Sequence, residues 1–262
     1  MNDYPVLAHI SDLHFGTEDK FVAETLVHDI NESAPDLVIL SGDLTQRARK
    51  GQFKKAKTLL DAIEPPVVVI PGNHDIPLFN LMARFLFPYR NYEKYISNEE
   101  YPIYQSEHLA IAGVDTCSPF RHQSGKIKQE DIDYLVNFFS ASGEEVIKGV
   151  VIHHNLFPYK GMKSGSALKG ADFFLHEMNR CGVDLVFAGH LHRSFVSTFS
   201  QPEVNNHLIV LQAGTAISKR LRKEENYMLI IKPARDDIAV EFRTFKAGKF
   251  RLRRQQIYSR KV

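Results

Sequence analysis

The sequence is poor in the features that mark whole classes of protein. Only two of its 262 residues are cysteine, Cys117 and Cys181. They could close one disulfide at most and neither sits in a CxxC pair, so the simplest reading is two free thiols in a reducing compartment. No run approaches the roughly 18 consecutive apolar residues of a membrane span. The first residues, Met1-Asn2-Asp3-Tyr4-Pro5, lack the basic stretch followed by an apolar one that forms a secretory leader. Nor does one sign of charge dominate: the formal net charge of +2 does not by itself argue for a nucleic-acid partner. These absences predict a cytoplasmic protein without a transmembrane segment. No internal repeat, low-complexity tract or linker interrupts the chain, which predicts a single domain over residues 1–262.

What is present is ordinary in amount and regular in pattern. Hydrophobic residues make up 44% and charged residues 24%, in a chain long enough for a substantial core. Short apolar runs rich in β-branched residues occur at 5–10, 36–41, 66–70, 109–114, 149–152 and 184–188, each the length of a buried strand. Between them lie stretches with helical spacing, such as Val22, Leu26 and Ile30, then Ala56 and Leu60, then Ile132, Leu135, Val136 and Phe139, and the segment 173–178. Alternating strand and helix predict an α/β core. After residue 205 the pattern changes to successive strands at 208–212, 227–232 and 238–245, with 233–237 as a hairpin connection, so a mixed sheet with a β-rich C-terminal part follows. Two segments depart from the alternation. Residues 77–101, rich in Phe, Tyr, Leu and Arg, read as a helical excursion. Residues 155–170, with Lys160, Lys163 and Lys169 among glycines and serines, read as a loop.

The chemistry gathers where the strands end. Behind five apolar runs come Asp12-Leu13-His14, Gly42-Asp43, Gly72-Asn73-His74-Asp75, His153-His154 and Gly189-His190-Leu191-His192. Open α/β sheets place their sites at the C-terminal ends of strands. Each group alone has an ordinary explanation, because Asp, Asn and Gly are what turns require. Turns do not require histidine at four strand ends of five. Taken together, the groups form a ligand set of carboxylate, carboxamide and imidazole with no thiolate, which suits Zn, Mn or Fe better than Ca or Mg. Seven ligands exceed one tetrahedral shell and fit two metals sharing a bridging carboxylate, the arrangement of a two-metal hydrolase.

The ordered set D-x-H, G-D, G-N-H-D, H and G-H-x-H resembles that of the calcineurin-like metallophosphoesterases, and spans residues 12 to 192. Within that superfamily the chain is most similar to the small bacterial branch that includes class III cyclic-nucleotide phosphodiesterases. The resemblance implies a four-layer αββα sandwich of two mixed β-sheets, with the metal site at the C-terminal ends of the strands. It further implies that Asp12, His14 and His192 hold one metal, that Asn73, His153 and His190 hold the other, and that Asp43 bridges them. A metal-bridging hydroxide would then attack phosphorus, with Asp43 and His74 as the catalytic residues and His74 stabilising charge or protonating the leaving oxygen. His154 would stand behind the ligands or face substrate. Asp75 is open between capping, orienting a histidine and catalysis.

Departures from the family pattern are informative. In the phosphoprotein phosphatase branch an Asp three residues beyond the bridging Asp pairs with the catalytic His; here that residue is Gln46. The next residue, Arg47, takes the place of a phosphate-binding arginine, or is a solvated arginine at a helix start. Metal identity stays open between Mn, Fe and Zn. The substrate implied is a phosphodiester, with a cyclic nucleotide as candidate. The alternatives are a lipid-linked or nucleotide-sugar (di)phosphate at a membrane surface, a nuclease substrate, or a non-catalytic metal-binding scaffold. From Phe245 onward the chain carries seven Lys or Arg and no acid, a segment suited to peripheral contact with anionic surfaces, or an exposed strand with solvated charges.

Overall fold

A computed structural model describes residues 4–121, 123–158, 167–204, 206–221 and 224–260. The chain runs from strand β1 (Leu7–Ile10) through helix α1 (Lys20–Ser33), β2 (Leu37–Leu40), α2 (Lys50–Asp61) and β3 (Val67–Val69) to a 3-10 turn at Asn73–Asp75. The helical excursion resolves into two six-residue helices, α3 (Leu81–Leu86) and α4 (Arg90–Tyr95). Then come β4 (Ile103–Gln105), β5 (Leu109–Gly113), α5 (Gln129–Ser140), β6 (Ile147–Val151), α6 (Ala171–Arg180) and β7 (Leu185–Ala188). The final strands are β8 (Phe195–Phe199), β9 (Leu208–Gln212), β10 (Tyr227–Pro233), β11 (Asp237–Lys246) and β12 (Lys249–Ser259).

Two six-stranded mixed sheets result among the described residues, ordered β12-β11-β10-β1-β2-β3 and β4-β5-β6-β7-β9-β8. The central strands are buried on both faces, and their alternation decides which layer each residue fills. Leu7, Ile39, Leu185, Phe187, Leu211 and Leu229 point between the sheets and form the inner core. Ile10, Val38 and Leu40 point the other way, onto Leu26 and Ile30 of α1 and Phe53 of α2. On the second sheet Val150 and Val186 meet Leu135 and Phe139 of α5 and Phe174 and Met178 of α6. Each such fully buried aliphatic or aromatic side chain contributes about 1.5–3 kcal/mol relative to exposure. The outcome is the expected four-layer αββα sandwich.

Polar contacts also join the sheets. His9 lies in the inner layer, edge-on to Phe187 at 5.1 Å, with Nε2 2.9 Å from Ser41 Oγ. Burial, against the charge of Asp12, pushes its pKa down to about 3, so the ring is neutral. Arg260, just past β12, donates Nε–H to Asp184 at the entry to β7 at 2.9 Å, with both side chains buried. The loop expected at 155–170 is seen at both of its ends, where Lys169 bridges to Lys126. Lys160 and Lys163 lie outside the described residues.

Candidate metal centre

The strand ends converge because the loops behind β1 and β2 run alongside each other. Asp12 N–H donates to Gly42 O at 3.0 Å and His14 N–H to Asp43 O at 2.9 Å. To turn their side chains to one point, Asp12, His14, Asp43, His190 and His192 all take left-handed φ values, between 49° and 76°. Such a conformation costs on the order of 1–2 kcal/mol per residue, and Asp, Asn and His are among the non-glycine types that tolerate it best. The residue types thus satisfy two demands, backbone and ligation.

Glycine supplies the closeness. A Cβ on Gly72 would stand 2.2 Å from both the backbone N and Oδ1 of Asp43, and one on Gly189 would meet Ser11 Oγ at 2.0 Å. Asp75 ties the same loops together: its carboxylate accepts from Leu44 N–H, Thr45 N–H, Thr45 Oγ1 and Gly72 N–H at 2.8–3.0 Å. Burial and the neighbouring Asp43 push its pKa up to about 6, against those four donors. Asp75 is therefore a tie between the β2 and β3 loops.

Two side-chain groups form. In the first, Asp12, His14, Asp43 and His192 bring one ligand atom each within 4.8 Å of the others, all buried. Asp12 Oδ2 accepts from His190 N–H at 2.9 Å, whereas Oδ1 has no hydrogen-bond partner and stands 3.5 Å from His14 Nε2 and 3.3 Å from His192 Nε2. Those two imidazole nitrogens are 3.0 Å apart. In the second group Asn73 Oδ1 lies 3.2 Å from His153 Nε2 and 3.0 Å from His190 Nδ1. His153 donates Nδ1–H to Ser41 O at 2.7 Å, which turns its Nε2 toward Asn73 Oδ1 and toward Asp43 Oδ1 at 3.4 Å. Converging acceptors in a buried space fit a cation, and imidazole with carboxylate fits a divalent transition metal. Asp43 faces both groups, with Oδ2 3.6 Å from His14 Nε2 and Oδ1 nearest His153.

Electrostatics agree with that chemistry. Burial alone would raise the Asp12 carboxyl, but His192, the adjacent His14 imidazole and the charge of His153 hold it well below the usual range. Asp43 is likewise held down, by His153, His74 and His14 against burial. Both acids are ionised, as ligands must be.

The remaining sequence-predicted residues surround these groups. His74 stands edge-on to His14 at 4.9 Å, and its Nδ1 lies 3.0 Å from the backbone carbonyl of Gln46. The residue replacing the acid of the other branch thus orients the ring through its main chain. Arg47 lies beside His74, with Nη1 3.5 Å from Nδ1, and its guanidinium covers the ring of Phe79 at 5.5 Å. His154 packs against His190 at 4.9 Å and bonds Thr116 Oγ1 through Nδ1 at 2.8 Å; it is buried and its Nε2 has no hydrogen-bond partner. Sequence reasoning missed Arg220, which donates Nη1–H to Gln46 Oε1 at 2.9 Å and whose charge opposes protonation of His14 and His74. Arg220 follows β9 in an irregular stretch where neither period nor motif marks it.

Two stacked mixed sheets, helices outside, and an Asp/His/Asn group at the strand ends define the metallophosphoesterase class of fold. Residues 5–194 match the family model described as calcineurin-like phosphoesterase, and the chain belongs to that family. Among curated relatives, a probable cyclic nucleotide phosphodiesterase of Synechococcus is 23% identical over 72% of this chain and 74% of its own length. Another so described, from Pseudoalteromonas, is 25% identical over 76% of this chain and 75% of its own. Among solved structures, a dimetal phosphatase from Danio rerio superposes with TM-score 0.72 at 11% identity, covering 99% of this chain and all of that one. A purple acid phosphatase from Lupinus luteus gives TM-score 0.68 at 12% identity; this chain is covered completely but spans 55% of the lupin chain. At such identities the two structures speak to the fold alone.

Proposed function

We propose that this chain is a phosphodiesterase working with two metal ions. The observation that carries the reading is the buried Asp43 carboxylate, one oxygen 3.6 Å from His14 Nε2 and the other 3.4 Å from His153 Nε2. Asp12, His14 and His192 would hold one ion, Asn73, His153 and His190 the other, with Asp43 spanning both; Mn, Fe and Zn suit the donors. When bound, such a pair activates water and neutralises phosphoryl charge. The chain's own groups do the rest. His74, oriented by the Gln46 carbonyl, would as its imidazolium pass a proton to the leaving oxygen. Arg47 and Arg220 bring positive charge to the phosphate, and Arg220 is steadied by Gln46. His154 keeps a partnerless Nε2 for a substrate or water atom.

The two relatives described as probable cyclic nucleotide phosphodiesterases support a cyclic nucleotide as candidate substrate. Exposed Phe79, beneath Arg47, favours a second reading, hydrolysis of a lipid-linked or nucleotide-sugar diphosphate. The cytoplasm is the setting we propose, consistent with two free thiols, and no helix among the described residues is long and apolar enough to cross a membrane. The test is turnover of bis-p-nitrophenyl phosphate, 3′,5′-cyclic AMP and p-nitrophenyl phosphate with manganese. Diesters are expected to be cleaved faster than the monoester, and Asp43→Asn to lose at least about a hundredfold in kcat. Equal turnover by Asp43→Asn overturns the reading.

A further inference from the structure

Helix α3 is amphipathic the wrong way round for a helix facing water. Leu81, Met82, Phe85 and Leu86 occupy one continuous arc and are 47% to 73% exposed. The inward arc holds Ala83 and Arg84, and the cation is the buried member. A surface helix normally presents the opposite pattern. Arg84 does not simply fill space. Its guanidinium donates to Pro119 O at 2.6 Å, Pro77 O at 3.0 Å and Arg121 O at 3.1 Å. These bonds clamp the loop containing Phe120 onto the helix, where Phe120, 83% exposed, packs tilted against Phe85 at 5.5 Å. With Phe79 and Phe87 at the flanks, the two segments make one apolar platform larger than scattered surface hydrophobics would give.

The two segments that build it carry charge of one sign, while Glu93, Glu99, Glu100 and Asp131 line the cleft on the far side of Phe120. Residues 76–92 contain Arg84 and Arg90 and no acid, and residues 116–128 contain Arg121, Lys126 and Lys128 and no acid. Arg90 lies with Lys50 and Lys94 around a cleft that also takes in Phe87. An apolar platform whose own two segments carry only basic side chains, with the acids set back beyond Phe120, complements a lipid bilayer with anionic headgroups, into whose interface a short apolar helix can sink while cations meet phosphate. A protein partner of ordinary composition does not require this pairing.

We propose that the α3 platform docks the protein on anionic phospholipid membranes. The platform begins beside the metal centre, since Phe79 lies under Arg47 and Arg47 reaches His74. Docked in this way, the mouth of the centre faces the headgroup layer. The inference stands apart from the catalytic reading, because it can be measured without turnover.

The experiment is co-sedimentation of the full chain with vesicles of phosphatidylcholine alone and of phosphatidylcholine with about 30% phosphatidylglycerol. Binding is expected for the anionic vesicles, at least about tenfold tighter than for the neutral ones, and weakening with salt. The triple variant Met82→Ser/Phe85→Ser/Leu86→Ser is expected to bind at least about tenfold more weakly, because the apolar anchor is lost. These side chains are exposed, so circular dichroism, melting and hydrolysis of a soluble diester are expected to match the parent. Arg90→Glu/Arg121→Glu, which spares the apolar face, is expected to weaken binding to anionic vesicles by a comparable factor. Absence of binding by the parent, or equal binding by the triple variant, overturns the proposal. A parent that dimerises in sedimentation equilibrium and ignores vesicles, with a monomeric triple variant, also overturns it and assigns the face to a second copy of the chain.

Discussion

Gly72→Ala isolates how the loops set the metal centre. The Gly72 backbone has φ −112° and ψ 174°, ordinary extended values that alanine adopts freely, so no dihedral penalty attaches to the change. The added methyl would stand 2.2 Å from Asp43 N and Oδ1 and 2.8 Å from Asp43 Cα. Contact near 3.4 Å is comfortable, so Asp43 or the Gly72 loop must give way by about 1 Å. Neither is loose: Gly72 N–H is bonded to Asp75 and His74 N–H to Asp43 Oδ1 at 2.8 Å. Overpacking of this kind costs about 1–3 kcal/mol, and a shift of about 1 Å at a reacting centre costs about a hundredfold in rate. In a chain of this size the melting midpoint should fall by roughly 2–10 °C. Gly51→Ala is the control. It lies in α2 with nothing within 4 Å of the added methyl, and should be neutral or stabilising by about 0.5–1 kcal/mol. Melting curves and manganese-dependent hydrolysis of bis-p-nitrophenyl phosphate read both effects. Parent-like turnover and midpoint in Gly72→Ala would refute the claim that this contact holds Asp43 in place.

Other perturbations test other layers. Phe187→Ala, in the centre of the inner core, should cost about 3–5 kcal/mol in urea unfolding, and a cost under about 1 kcal/mol would contradict the packing described. Arg260→Ala leaves the Asp184 carboxylate buried without its partner, at a cost of about 3–5 kcal/mol near neutrality. The Asp184 pKa is already raised, by burial against Arg260, so its ionisation opposes folding and its contribution worsens as pH rises from the ordinary Asp range through the raised value. The loss in Arg260→Ala should therefore shrink on acidification, and a pH-independent loss in chemical denaturation would be inconsistent with this pair. Arg220→Ala should raise KM for a diester more than it lowers kcat, measured by initial rates; an unchanged KM removes Arg220 from substrate binding. Manganese at about 100 times its dissociation constant should stabilise the parent by about 2.7 kcal/mol, seen as a raised midpoint that Asp12→Asn weakens.

Much of this arrangement was legible in the residues because buried strands announce themselves. The six strands read from apolar runs in the first part of the chain all form: five are buried throughout, even with His9 in β1 and Lys148 in β6, and β3, at a sheet edge, still shows as an unbroken valine run. β4 and β8 gave no such signal. Both are sheet edges, partly exposed, and Phe195–Phe199 mixes Ser and Thr with aromatics as an edge permits. At the C-terminus β12 is the exposed strand anticipated there, although Arg253 and Arg254 are engaged with Tyr227 and the Phe242 ring. The strand-end motifs converge as their residue types suggested. What sequence could not show was how backbone groups serve the site: the Gln46 carbonyl on His74 and the Ser41 carbonyl on His153 carry no residue signature. The role of Asp75 was open for the same reason, since its four partners become neighbours only when two loops meet.

The two groups of ligands do not divide by sheet. Asp12, His14, Asp43 and Asn73 leave the sheet of β1–β3, whereas His153, His190 and His192 leave that of β6 and β7, so each group draws on both. Metal ions there would act as rivets across a joint whose plates also meet through greasy contact, the Arg260 tie and hydrogen bonds such as that from His153 to the Ser41 carbonyl. Loosening the joint and losing the ions then become one event. A polypeptide nicked in the connection between α4 and β4 should need both fragments and the metal together before either half regains a working shape.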